Sequence, residues 1–162
     1  VTVSANSRVA IASHTLAWME LNRRLGSEVV TSEQIAESVN TNPVVIRRSL
    51  GELRKGGLVE SRRGTGAGWS LTRDAESITL LDVYQAVQAG PLLGLHTSPP
   101  NQDCPVGFGI QPALERVYDG LEEVVRDRLA RITVADLLAD ILAQQSREGA
   151  PGFAHLTPAT ES

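Results

Sequence analysis

Between positions 47 and 63 stand Arg47, Arg48, Arg54, Lys55, Arg62 and Arg63, opposed only by Glu52 and Glu60. That segment carries a net +4, which leaves −8 for the remainder of a chain whose total is −4. Its last two arginines lead into RRGTGAGWSLT (62–72), where Gly64, Gly66 and Gly68 alternate with other residues ahead of Trp69. Guanidinium groups pair with phosphate oxygens and bond the O6 and N7 of guanine in bidentate fashion. Glycine lets a backbone come close to another molecule. Cations beside flexible backbone therefore point to a polyanionic partner. A solvated charged face is the plainer alternative, and charge alone does not separate the two.

The flanking elements decide how such residues would be presented. From Ser7 to about Leu25, Val9, Ala12, Leu16 and Met19 follow helical spacing until Gly26. TSEQIAESV opens with Thr31 and Gln34 in capping-box register and buries Ile35 and Val39. NTNP then forms a turn in which Asn42 caps a third helix and Pro43 occupies its first position. That helix runs to about Lys55 with Ile46, Leu50 and Leu53 inward, and Gly56–Gly57 end it. LVESR and WSLT, on either side of the glycines, read as a β-hairpin with an enlarged tip. The order is a winged helix-turn-helix within residues 1–78, in a chain that is mainly α with a small β-hairpin.

Residues 79–145 read as a second segment. Thr79 and Asp82 cap a short helix, and the Gly- and Pro-rich stretch 88–109 is an irregular connection. A long helix is expected from about Ile110 to Arg131, where Ile110, Leu114, Val117, Leu121 and Val124 step by four and three. Val125, Leu129 and Ile132 continue that stripe with a drift. Thr133 and Asp136 cap a last helix, and residues 146–162 read as a disordered tail.

In a helix-turn-helix the early residues of the second helix meet base edges in the major groove. With Ile46, Leu50 and Leu53 inward, Val44, Arg47 and Arg48 face out. Arg47 is the candidate for a guanine, Arg48 for bases and phosphate, and Val44 for a thymine methyl group. In the wing, Gly64 and Gly66 permit close approach, Arg63 enters the narrow minor groove, and Thr65 and Arg62 hold phosphates. Arg54 is a further phosphate contact. Ser32 and Gln34 lie where a helix start attracts anions, although simple capping explains them as well. Arg8 could touch the backbone or merely be solvated.

Other chemistries fit poorly. The glycines do not have dinucleotide-fingerprint spacing, and no Walker-type lysine follows them. Cys104, His96 and His14 form no identifiable catalytic set, so an enzyme is not expected. The lone cysteine excludes an internal disulfide and suits a cytosolic location, and no apolar run approaches membrane-spanning length.

The run from TSEQIAESV to LLDVYQAV, above all LRKGGLV and RGTGAGW, resembles the Rrf2 (BadM-type) family of bacterial transcription regulators. NQDCPVGFGIQPALERVYDGLEE extends the resemblance over roughly residues 7–143. Ala67 departs from the family's usual wing glycine, which would stiffen the tip. The resemblance implies a sequence-specific DNA-binding homodimer, acting as a repressor, with two recognition helices on a palindromic double-stranded operator. The stripe Ile110, Leu114, Val117, Leu121 and Val124 agrees, since it needs a partner surface; residues 133–142 of the same chain are the other candidate. A winged-helix module that docks an acidic protein without reading bases is the competing function.

Many family members hold an iron–sulfur cluster on three cysteines before the long helix. Here Cys104 matches the last, while Ser98 and Leu92 stand six and twelve residues upstream. Clusters require thiolates. No cluster and no metal is expected, as in the cluster-free branch. Cys104 is then either a small packed residue or a redox-responsive thiol. A small-molecule signal acting through 91–108 is equally open.

Overall fold

In a computed structural model of the chain, residues 5–87 and 90–148 are described. The chain runs α1 (Ala5–Arg24), α2 (Ser32–Val39), α3 (Pro43–Lys55), β1 (Val59–Arg62), β2 (Gly68–Leu71), a 3-10 turn (Ala75–Ser77), α4 (Leu80–Ala86), α5 (Pro105–Ala130) and α6 (Val134–Glu148). The first α-helices and the hairpin have the expected order and type. The expected tail from residue 149 lies outside the described residues, and residues 146–148 extend α6.

Helix α1 is the hub. Thr15, Leu16 and Ala17 are consecutive and all buried, which a one-sided amphipathic helix would not allow. It is covered by α2, α3, α4, α6 and β2. The hydrophobic core does not stop at residue 78. Val83 and Val87, in and just after α4, join it, as do Val134 and Ala135 of α6. A pair of matched caps explains how. Thr79 and Thr133 each accept from the backbone N–H of an aspartate three residues on, Asp82 and Asp136, whose carboxylates accept from the threonine N–H. The two capping segments also form an antiparallel bridge, with Leu80 N–H donating to Ile132 and Val134 N–H to Ile78. The starts of α4 and α6 are thereby held together.

The hairpin pairs Val59 with Leu71 and Arg62 with Gly68. Its second strand carries an unforeseen neighbour: Val30 and Trp69 exchange two backbone hydrogen bonds, 3.0 and 2.7 Å. Gly68 is required there, because a Cβ would sit 2.6 Å from the Val30 carbonyl oxygen. The wing is thus anchored to the segment preceding α2.

Glu20 is 1 % exposed and would be costly alone. Arg23 and Arg24 donate to it at 2.8 and 2.7 Å, and Arg23 also reaches Asp74 at 3.3 Å. Burial pushes the Glu20 pKa up, but the two arginines outweigh it and hold the pKa below its usual 4.5. A carboxylate depressed in the folded state stabilises above its unfolded pKa and loses that contribution as pH falls through the lower folded value. The Glu20 contribution to urea unfolding midpoints is therefore expected to stay level from neutral pH to near 4.5 and then fall. Glu20→Gln should flatten part of that fall while lowering stability at neutral pH.

Candidate nucleic-acid interface

Helix α3 presents the cations because its other side is fully engaged. Ile46, Ser49, Leu50 and Leu53 are buried. Asn42 caps it by accepting from Val44 N–H at 2.9 Å, and Pro43 stands at its start. What remains outside is Val44 (63 % exposed), Arg47, Arg48, Arg54 and Lys55. Arg47 keeps 54 % of its side-chain surface while donating to Glu33 Oε1 at 3.2 Å. Arg48 Nε lies 3.7 Å from Glu52 Oε1 and is more exposed still. Such exposed pairs are weak, about 0–1 kcal/mol, so an incoming ligand can replace them. The structure therefore places all three base-reading candidates on one outward face.

The wing tip is a turn closed by Ala67 N–H donating to the Gly64 carbonyl at 3.1 Å. Gly64 and Gly66 have φ of 82° and 75°, in the left-handed region that favours glycine. Ala67 is not among the positive-φ residues, so alanine fits there without strain. Arg62, Arg63 and Thr65 are exposed, and no described carboxylate lies within salt-bridge distance of either arginine.

Three phosphate candidates are placed differently. Arg8 is half-buried and donates to Glu52, tying α1 to α3, so it is neither free nor merely solvated. Ser32 is buried with its hydroxyl directed to Glu33, which leaves only its backbone N–H for an anion. Gln34 completes the capping box, its Oε1 accepting from Thr31 N–H at 2.9 Å.

The carboxy-terminal elements correct two expectations. Helix α5 starts at Pro105, with Cys104 as its N-cap, about a turn and a half before Ile110. Pro105 at a first helical position is a start signal, masked by the surrounding glycines and by Pro112 inside the helix. Gly107 makes the early start possible, because a Cβ there would lie 2.1 Å from the Asn101 carbonyl oxygen. Cys104 is half-buried rather than packed away, and the N–H groups of Gly107 and Val106 hold its pKa below the usual 9.0.

The apolar stripe of α5 divides. Val125, Leu129 and Ile132 are half-buried within the chain, as are Ile110 and Leu114, while Val117, Leu121 and Val124 (67 %) are exposed. The buried members of α6, Val134, Ala135 and Leu138, do not relieve this, because α6 packs along α1. None of the 26 residues of α5 is buried.

The match to known proteins follows this geometry. A family model described as Rrf2, iron-dependent transcriptional regulator, matches residues 5–140. The chain belongs to the Rrf2 family. YwnA of Bacillus subtilis, named as an HTH-type transcriptional regulator, is 40 % identical over 134 residues, 82 % of this chain and 96 % of that one. The HTH-type transcriptional regulator IscR of Cereibacter sphaeroides is 26 % identical over 136 residues, 84 % and 86 % of the two chains. A crystal structure described as a DNA-binding protein superposes with TM-score 0.64 at 36 % identity, covering 81 % of this chain and 98 % of that one. The Rrf2 chain is a transcriptional regulator and not an enzyme.

The family description mentions iron, and the donor set here does not fit a cysteine-held cluster. Cys104 is the chain's one thiol, and the upstream positions carry Ser98 and Leu92. Among the described residues no three His, Cys, Asp or Glu side chains are grouped to hold a metal ion.

Sequence reasoning missed three participants. Glu33 lies on α2, and its pairing with Arg47 has no signature in spacing. Val30 supplies the wing anchor through its backbone alone. Gly51 stands inside a helix, where glycine costs about 0.5–1 kcal/mol relative to alanine. It has nothing within 4 Å of a would-be Cβ, and it lies one turn from Arg47 and Arg48 on one side and from Arg54 and Lys55 on the other.

Proposed function

We propose that this Rrf2 regulator is a cytoplasmic homodimeric repressor that binds a palindromic operator without an iron–sulfur cluster. The observation that carries it is the outward face of α3, with Val44, Arg47 and Arg48 presented by a helix whose opposite face is buried. The recognition helix reads base edges, and Arg63 enters the adjacent minor groove from the Gly64–Gly66 tip. Arg62, Thr65 and Arg54 hold phosphates. The exposed seam Val117, Leu121 and Val124, continuous with Ile110 and Leu114, is covered by a second copy. Two such heads match half-sites about one helical turn, or a multiple of it, apart. No helix among the described residues is long and apolar enough to cross a membrane, which suits the same reading. Redox or small-molecule control belongs to the connection 91–108. Cys104 is the group that offers redox control, half-buried at the start of α5 with its thiol pKa held below the usual 9.0 by the N–H groups of Gly107 and Val106.

Selection of bound fragments from the native genome, repeated across a salt series, tests this. A two-fold symmetric motif is expected, with affinity that falls steeply as salt rises because phosphate contacts release counterions. Binding with no sequence preference would instead favour docking of an acidic protein.

Gly51→Ala gives an independent check on where the nucleic acid lies. Nothing inside the chain needs that glycine, so alanine should raise stability by about 0.5–1 kcal/mol through helix propensity. If a DNA strand lies across the face ringed by Arg47, Arg48, Arg54 and Lys55, the same methyl group should weaken operator binding. Thermal unfolding and gel-shift titration of the one variant read the two effects separately.

A further inference from the structure

Glu33 stands on the first turn of α2, outside the recognition helix, and its carboxylate is held from two sides. The hydroxyl of Ser32, itself only 7 % exposed, donates to Oε2 at 3.1 Å, and Arg47 Nη1 donates to Oε1 at 3.2 Å. The backbone N–H of Glu33, then Ser32, then the charge of Arg47 hold its pKa below the usual 4.5, so it stays ionised at neutral pH. The other cations of the surface lack such an arrangement. Arg54, Arg62 and Arg63 have no carboxylate within salt-bridge distance among the described residues. Arg48 lies near Glu52, which is already taken by Arg8.

An anchored anion at that place has two consequences for a duplex lying on α3. It presents a negative charge close to phosphates, a penalty on every sequence. It also holds Arg47 through Nη1, which fixes the guanidinium over the outer face of α3 while its other N–H donors can meet DNA. At a non-cognate site a freed arginine would swing to a phosphate, whereas one fixed in this way meets no pair of acceptors matched to its fork. At a guanine it gains two directed hydrogen bonds to O6 and N7. Discrimination of this kind needs a repulsive element as well as an attractive one.

We propose that Glu33 is a specificity-determining positioning residue: anchored by Ser32, it holds Arg47 over the outer face of α3, aimed at a guanine edge. This rests on the reading of α3 as the base-reading helix and adds to it a residue that touches no base.

The test is a double-mutant cycle with the native dimer, Glu33→Gln, Arg47→Ala and the double variant. Each is titrated at one salt concentration against three duplexes: the selected operator, the operator with the guanines opposite Arg47 replaced, and an unrelated sequence. Glu33→Gln should bind the unrelated duplex about two- to fivefold more tightly and lose a similar factor of guanine preference, the scale of an exposed ion pair. In the Arg47→Ala background the same change should shift all three duplexes by one common factor. Glu33→Asp keeps the charge but shortens the reach, so it should hold native affinity for the unrelated duplex while losing guanine preference. The proposal is overturned if Glu33→Gln shifts the three duplexes equally with Arg47 present, if it shifts none, or if Glu33→Asp keeps full preference. A native protein without guanine preference overturns the base-reading assignment itself, and this proposal with it. A native preference that survives Glu33→Gln overturns the role of Glu33 alone.

Discussion

Arg47→Ala lowers operator affinity by about 1–3 kcal/mol and relaxes preference at one position in each half-site, while affinity for unrelated DNA changes far less. The expectation follows from geometry. Ile46 and Leu50 fix the rotation of α3, and Arg47 is therefore aimed outward with more than half its side chain open. Its only partner among the described residues is an exposed carboxylate, so truncation leaves no buried charge behind and the fold should not suffer. Arg47→Lys is not a rescue, because a point charge lacks the planar fork that matches two acceptors of one base. Binding isotherms on the operator and on base-substituted operators measure both parts. Equal losses on every duplex would reduce Arg47 to a phosphate contact.

The second large effect is expected at the seam. Leu121→Glu should dissociate the proposed dimer and lower operator affinity by about 100-fold or more, since a second half-site would then no longer be delivered at high effective concentration. The monomer should stay folded. Leu121 is exposed in the single chain, and no residue of α5 is buried there, so the new carboxylate disturbs no intrachain core. A helix of 26 residues, about 39 Å long, none of which is fully buried draws only part of its stability from its own chain. Glu123→Ala, a change of an exposed charge off the seam, is the control. Sedimentation equilibrium reads the assembly, and circular dichroism reads the fold. A Leu121→Glu protein that remains dimeric would place the partner surface elsewhere.

How far the sequence could be read depended on whether the deciding signal was local. Thr31 with Gln34, Asn42 with Pro43, Thr79 with Asp82 and Thr133 with Asp136 are caps formed within a few residues, and each appears where its spacing puts it. The outward face of α3 was legible for the same reason, because Ile46, Leu50 and Leu53 leave a single rotation. Long-range choices were not legible. Nothing near Val30 marks it as a neighbour of Trp69, and nothing in residues 134–138 shows that they turn toward α1 rather than α5. The start of α5 was hidden by its own composition. Gly107 reads as a loop residue, yet it is needed inside the first turn because Asn101 passes over it. The pairing of Glu33 with Arg47, 14 positions away on another helix, has no local signal either.

Guanine N7 methylation interference on the operator tests the central claim most directly. If Arg47 bonds the O6 and N7 of a guanine, a methyl group on that N7 should block the native dimer at one position in each half-site. The Arg47→Ala protein should be indifferent to methylation at those same two positions while still sensing its remaining contacts. Interference absent from both half-sites, or unchanged by the substitution, would mean that α3 does not read the base its geometry points toward.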